Sequence, residues 1–218
     1  MTKDEKSNSS EELLTKLNLR ALKFVTSLAT SSDLEKAAKQ NRLKHFAFVG
    51  KSNVGKSSLI NHLAQNKNLA KVSSTPGKTQ LVNLFEIKEC LVVDLPGYGF
   101  AKVSKQIQYD WNLLMQSYFE LFYQHLHVFI LIDPKKAISD EDFQMIEMCE
   151  QKCIPFAIIF TKVDQIAKTH LEKTIRPRLK ELEEYFGSAP SFILYSNQTS
   201  QGKDALIALM EESLKEKA

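Results

Sequence analysis

No stretch of this 218-residue chain approaches the roughly 18 consecutive apolar residues of a membrane span. Nor does it open on a secretory leader, because Met1 to Glu12 is polar and charged. A cytoplasmic protein without membrane contact is expected. Cysteine is scarce: Cys90, Cys149 and Cys153 are an odd number, and the C-x₃-C pair has no histidine pair nearby to complete a zinc ligand set. Reduced thiols are the expectation. His45, His62, His125, His127 and His170 show neither ligand spacing nor a triad partner, which points to structural or surface roles. Charge of one sign is also missing. A net charge of +3 permits an anionic partner such as RNA without demanding one.

What is present is a phosphate-binding pattern. Gly50-Lys51-Ser52-Asn53-Val54-Gly55-Lys56-Ser57 fits G-x-x-x-x-G-K-[ST] and lies between the apolar run Phe46 to Val49 and a helical stretch. Two glycines let the backbone curl so that successive N–H groups face an anion, and the helix starting near Lys56 aims its positive end at the same point. A triphosphate is the expected occupant. Lys56 would reach the β- and γ-phosphate oxygens, and the Ser57 hydroxyl would hold a bridging Mg²⁺.

Two further motifs follow in order, each after an apolar run. Cys90 to Val93 leads into Asp94-Leu95-Pro96-Gly97, where Asp94 can face the Mg²⁺ shell through water and the Gly97 N–H can meet the γ-phosphate. Ile154 to Phe160 leads into Thr161-Lys162-Val163-Asp164. A carboxylate at Asp164 can accept from the N1–H and the N2 amino group of guanine, and adenine lacks that donor pair. Such a pocket rejects the wrong base because its buried acceptor would be left unpaired. The Lys162 stem would lie along the purine face.

The length suits one domain with a full core, expected over residues 21–218 as a nucleotide-binding domain and preceded by a polar tail over residues 1–20 that is disordered or helical. Around Phe24-Val25-Thr26 there is a short β-branched piece. Strands are expected at His45 to Gly50, Gln80 to Ile87, Cys90 to Asp94, His127 to Asp133, Ile154 to Thr161 and Pro190 to Tyr195. Helices are expected at Lys56 to Gln65, Ser104 to Gln124, Asp140 to Lys152, Leu171 to Phe186 and Gln201 to Glu216. Strands alternating with crossover helices imply an α/β, three-layer P-loop NTPase fold, its sheet mostly parallel and covered by helices on both faces. The pair flanking Lys88-Glu89 reads as a hairpin, making one strand antiparallel. All three motifs fall on the C-terminal strand edge.

Read together, Gly50 to Asn61, Ser74-Thr75-Pro76-Gly77-Lys78-Thr79-Gln80 and Asp94-Leu95-Pro96-Gly97-Tyr98-Gly99-Phe100-Ala101-Lys102-Val103-Ser104 resemble the YihA/EngB family of ribosome-biogenesis GTPases. The resemblance runs from about residue 20 to the C-terminus. It implies a GTP-binding and GTP-hydrolysing switch that acts as a monomer on the large ribosomal subunit precursor, engaging rRNA and ribosomal proteins, with a link to cell division and septation. It places a second Mg²⁺ ligand at Thr79 and makes Lys56, Thr79 and Gly97 the catalytic set. Ser58, Gly77, Lys78, Gln80 and Leu81 join the GTP contacts, and Tyr195, Ser196 and Asn197 form the loop closing over guanine O6. Lys51 stands where Arg is commonest, Val163 where a small Ala is usual, and Asn197 where a second Ser is usual.

Residues 67–80 are poor in apolar side chains, so this loop is expected to take order from the nucleotide, and Gly97 and Gly99 offer hinges for a second switch. Ras-type GTPases place a Gln after the Asp-x-x-Gly motif to orient the attacking water. Here that position is Tyr98, which implies slow intrinsic hydrolysis. Asn53 can lend its amide oxygen to a K⁺ lying where an arginine finger otherwise would, or can order the loop by hydrogen bonding. Two rival readings are a P-loop kinase, for which no arginine-rich lid is visible, and a GTP-binding scaffold without useful hydrolysis.

The aromatic residues from Tyr109 to Tyr123 repeat at helical spacing, which favours core packing over an RNA-stacking platform. Lys102, Lys105, Arg176, Arg178 and Lys180 are either phosphate contacts or a solvated basic face. Asp133, followed by Pro134 and two lysines, reads as a loop start.

Overall fold

The structure, a computed structural model, describes residues 17–40, 42–71, 81–87, 90–99 and 105–215. Its strands are β1 (Lys23–Leu28), β2 (Lys44–Gly50), β3 (Val82–Ile87), β4 (Cys90–Asp94), β5 (Leu126–Ile132), β6 (Phe156–Phe160) and β7 (Phe192–Leu194). Its helices are α1 (Ser31–Gln40), α2 (Lys56–Ala64), α3 (Lys105–Phe122), α4 (Asp140–Gln151), α5 (Lys168–Phe186) and α6 (Lys203–Lys215). The strands make one sheet in the order β1-β3-β4-β2-β5-β6-β7. β3 runs antiparallel to both its neighbours, and every other pairing is parallel. This is the expected fold, with β3 as the antiparallel strand.

Period-two side-chain alternation sorts each strand between two helical layers. Phe46 and Phe48 of β2 join a cluster with Leu59 and Ile60 of α2 and Leu206 and Met210 of α6. Ala47 and Val49 join the opposite cluster, with Tyr118 and Phe122 of α3, Ile146 of α4 and Leu182 of α5. Every residue of β5 is buried, as a parallel strand covered on both faces requires. Leu17 and Leu19 are buried in the α2–α6 layer, and the Leu17 N–H donates to Glu211 Oε1 at 2.7 Å. The residues before Leu17 lie outside the described ones.

The aromatic run of α3 divides. Tyr118, Phe119 and Phe122 are buried and Trp111 packs against the same core cluster, whereas Tyr109 and Tyr123 are exposed. The β-branched piece near Phe24 is strand β1 on the sheet edge. Among the described residues no helix is long and apolar enough to cross a membrane, and all three cysteines are free.

β2 is where the chain reverses its order of addition, with β4 and β3 to one side and β5, β6 and β7 to the other. Open α/β sheets bind ligands at the C-terminal strand ends beside such a switch point. The loops after Gly50, Asp94, Ile132, Phe160 and Leu194 all open there.

Candidate nucleotide site

The loop from Gly50 to Gly55 connects β2 to α2. At Gly50, φ is +155°, and a Cβ added there would lie 2.6 Å from the Leu131 carbonyl oxygen. Only glycine lets the loop leave β2 that close to β5. Gly55 precedes α2 without a side-chain cap, so the first N–H groups of the helix keep no intrahelical acceptor and face the concavity.

Three charged or polar groups meet at the mouth of that concavity. Lys56 Nζ donates to Asp94 Oδ1, and the Ser57 hydroxyl donates to Asp94 Oδ2 at 2.9 Å. An ammonium, a hydroxyl and a carboxylate at a helix N-terminus suit a Mg²⁺-bound phosphate, since Mg²⁺ takes hard oxygen ligands and keeps several waters. The described residues hold no cluster of three or more His, Cys, Asp or Glu placed for a metal. A Mg²⁺ completed by phosphate and water needs none.

The segment after Asp94 lies flat on the loop. The Leu95 N–H donates to the Phe48 carbonyl at 3.1 Å, the Tyr98 N–H to the Gly50 carbonyl at 3.3 Å, and the Ser52 N–H to the Tyr98 carbonyl at 3.1 Å. Gly97 is the point of closest approach. A Cβ there would sit 3.2 Å from both the Gly50 oxygen and the Ser52 nitrogen. Leu95, Pro96 and Gly97 are buried. The expected switch residues Gly77, Lys78, Thr79 and Gln80 lie outside the described residues, while Leu81 is half-buried just before β3.

The third motif is tied to the first. The Thr161 hydroxyl donates to the Val54 carbonyl at 2.9 Å, and Lys162 Nζ donates to the Asn53 carbonyl at 2.8 Å. Lys162 also lies 3.5 Å from Asp133 Oδ2. Val163 turns its side chain into the core. Asp164 stays exposed and lines a cavity of about 180 Å³ with Val54, Gly55, Ser58, Lys162, Tyr195 and Asn197. There the Ser196 hydroxyl donates to Asp164 Oδ1 at 2.6 Å. The structure therefore brings the described residues of all three motifs to one edge of the sheet.

Some contacts were not foreseen. Asp133 both starts its loop, accepting from the Lys135 N–H at 3.2 Å, and receives Lys162; its place at a strand end was the available signal. His62 pairs with the Tyr195 hydroxyl at 2.8 Å and with Ser200 Oγ at 3.1 Å, fixing the loop above the cavity to α2. The Tyr98 hydroxyl is buried and donates to Asp142 Oδ1 at 2.6 Å. Burial, together with the carboxylates of Asp142 and Glu141, pushes its phenol well above the ordinary value of 10. Among the basic candidates, Lys180 pairs with Glu184 on the solvated face of α5, whereas Arg178, paired with Glu181, is half-buried with its Nε shut off from solvent. Lys102 lies outside the described residues.

A family described as 50S ribosome-binding GTPase matches residues 45–162, from β2 through Lys162. The probable GTP-binding protein EngB of Fusobacterium nucleatum is 44% identical over 170 residues, covering 78% of this chain and 86% of the relative. The chain belongs to the EngB family of GTP-binding proteins. The family's member in Flavobacterium johnsoniae is 40% identical over 187 residues, covering 85% of this chain and 89% of the relative. In fold, the chain is similar to a solved probable GTP-binding protein engB, with a TM-score of 0.65 at 23% identity over 79% of this chain and all of that one. It is similar also to Aquifex aeolicus Era bound to GDP·AlF₄⁻, with a TM-score of 0.62 at 22% identity over 82% of this chain and 59% of that one. As an EngB-family P-loop GTPase it hydrolyses GTP, and the kinase reading falls away.

Proposed function

We propose that the chain is a Mg²⁺-dependent GTP switch with slow intrinsic hydrolysis, working in the cytoplasm on the large ribosomal subunit precursor. The observation that carries the reading is the convergence of Lys56 and Ser57 on Asp94, with Gly97 seated on the loop beside it. In the working cycle Lys56 takes the β- and γ-phosphate oxygens and the Gly97 N–H reads the γ-phosphate. Ser57 and Thr79 would hold the Mg²⁺, with Asp94 acting on it through water, and the metal would supply neutralisation of the negative charge on the phosphates. Loss of the γ-phosphate frees Gly97, and the segment through Tyr98 carries that change to a partner.

Slow hydrolysis is supported by Tyr98. Its hydroxyl is committed to Asp142 and buried, so the residue after Gly97 offers nothing to orient an attacking water. Acceleration then falls to a group supplied from outside. The ribosomal partner is supported by the description of the family that matches residues 45–162.

Base reading by Asp164 gives the deciding test. Asp164→Asn should move preference from guanine toward xanthine nucleotides by about a hundredfold or more, because a site built for a hydrogen-bond pair rejects what leaves it unpaired. Unchanged GTP preference would remove the reading. Single-turnover hydrolysis with and without large-subunit precursors tests the partner: stimulation is expected, and equal rates would count against it.

A further inference from the structure

Asp133 and Lys162 leave the sheet side by side. They follow the ends of β5 and β6, whose last residues, Ile132 and Phe160, face each other in the parallel register. The Thr161 N–H donates to the Ile132 carbonyl at 2.9 Å, which brings Lys162 level with Asp133. From there the lysine stem crosses the phosphate loop, its Cε 3.9 Å from the place a Cβ would take on Gly55. Its ammonium ends on two oxygens, the Asn53 carbonyl at 2.8 Å and Asp133 Oδ2 at 3.5 Å. Among the described residues, Asp133 is its one ion-pair partner. The carboxylate is itself fixed, since its side chain is only 10% exposed and Oδ1 accepts from the Lys135 N–H at 3.2 Å.

Lys162 lines the cavity of about 180 Å³ with Asp164, whereas Asp133 lines a different one, of about 250 Å³, with Lys51, Asn53 and Lys136. Whatever the first cavity holds, Asp133 acts on it through Lys162. A lysine stem free to rotate loses that freedom when a flat ring packs on it, and a stem already tethered at its far end loses less. The Asn53 carbonyl tethers it by one directional bond, and the carboxylate adds attraction that does not depend on direction. We propose that Asp133 is a positioning residue for nucleotide binding, holding the Lys162 stem as the platform on which the base packs. This inference rests on the reading of the smaller cavity as the base site and adds a residue outside it that sets its affinity.

The test is calorimetry of the full chain with Mg²⁺. Asp133→Asn keeps an oxygen for the Lys135 N–H and removes only the charge, and it should bind GDP about three- to fivefold more weakly, the span of a partly exposed ion pair. Asp133→Ser, which can also start the turn, serves if the asparagine form does not fold. IDP, whose base lacks the N2 amino group, should weaken by the same factor, because the platform serves the ring and not its edge. In a chain already carrying Lys162→Met, the Asp133 substitution should cause no further loss. A residue that only shaped its own loop would lower affinity by the same factor with or without the lysine, so additive losses would overturn the proposal. Unchanged GDP affinity in the Asp133 variant would also overturn it. Unchanged GDP affinity in Asp164→Asn would instead remove the base-site reading, and this inference with it.

Discussion

The Tyr98 hydroxyl donates to Asp142 Oδ1 across 2.6 Å, and the other oxygen of that carboxylate accepts from the Ser139 N–H at 3.0 Å and its hydroxyl at 2.7 Å. One buried carboxylate thus closes the capping box of α4 and holds the segment after Gly97 against it. The residue after Gly97 is therefore anchored to a helix, at the position where Ras-type GTPases carry a water-orienting Gln.

Tyr98→Phe separates anchoring from chemistry. It removes a buried hydrogen bond to a carboxylate, so chemical denaturation should report a loss of about 1.5–3 kcal/mol. Intrinsic GTP hydrolysis measured in single turnover should stay within about twofold, since the phenol does not orient the water. A tenfold drop at unchanged GTP affinity would place Tyr98 in the chemistry after all.

Trp111 is the chain's one tryptophan, and its ring lies edge-on to Tyr98 with centroids 6.4 Å apart. Its emission should therefore differ between the GDP-bound chain and the chain bound to a non-hydrolysable GTP analogue. The difference should shrink in Tyr98→Phe. Identical spectra for the two nucleotides would mean that this part of the switch does not move with the γ-phosphate.

The three nucleotide motifs and the strands that carry them were legible in the sequence because each motif depends on local backbone geometry at the end of a buried strand. A run such as Leu126–Ile132, buried at every position, announces a strand covered on both faces. Contacts between distant segments left no such mark. Ser139 and Asp142 carry the S-x-x-D spacing of a capping box, but nothing local says that Tyr98, 44 positions earlier, completes it. Asp133 gave its position at a strand end and not its partner Lys162. The edge strand β1 showed its β-branched character, whereas its pairing with β3 joins residues too far apart for periodicity to reveal.

Gly97→Ala tests the close approach of the switch to the loop. The added Cβ meets backbone atoms of Gly50 and Ser52 at 3.2 Å, and backbone has little room to yield. The segment should lift from the loop, with GDP affinity held within about threefold and hydrolysis reduced at least tenfold, about 1.4 kcal/mol in the barrier. Unaltered hydrolysis would show that the Gly97 N–H does not need its seat on the loop.

Two buried histidines should make the fold sensitive to acid. His45 Nδ1 pairs with the Tyr118 hydroxyl at 3.0 Å and His127 Nδ1 with Ser213 Oγ at 2.9 Å, while Nε2 of each ring has no partner. Burial, with His125 beside one and Lys44 beside the other, lowers them to about 3 and about 4. The unfolded chain takes up these protons first, near its ordinary value of 6.5, so stability is complete above that pH and falls as pH drops toward 4. At pH 5 the loss should be roughly 2 kcal/mol for each ring. His127→Gln should halve the slope of stability between pH 6.5 and 5, and an unchanged slope would assign acid sensitivity to other groups.

Asn53 remains to be separated into backbone and side-chain roles. Its φ is +63°, a left-handed conformation that Asn tolerates better than most residues, and its carbonyl takes Lys162 at 2.8 Å. The side-chain amide is exposed and makes no hydrogen bond among the described residues. That leaves the amide oxygen open to a monovalent cation at the edge of the phosphate site, where positive charge stabilises the transition state. Turnover in KCl should exceed that in NaCl at equal ionic strength by about fivefold or more, a gain of about 1 kcal/mol. Asn53→Gly keeps the left-handed backbone and removes only the amide, so it should retain GDP affinity and lose the KCl advantage. Equal turnover in the two salts would leave Asn53 with its backbone role alone.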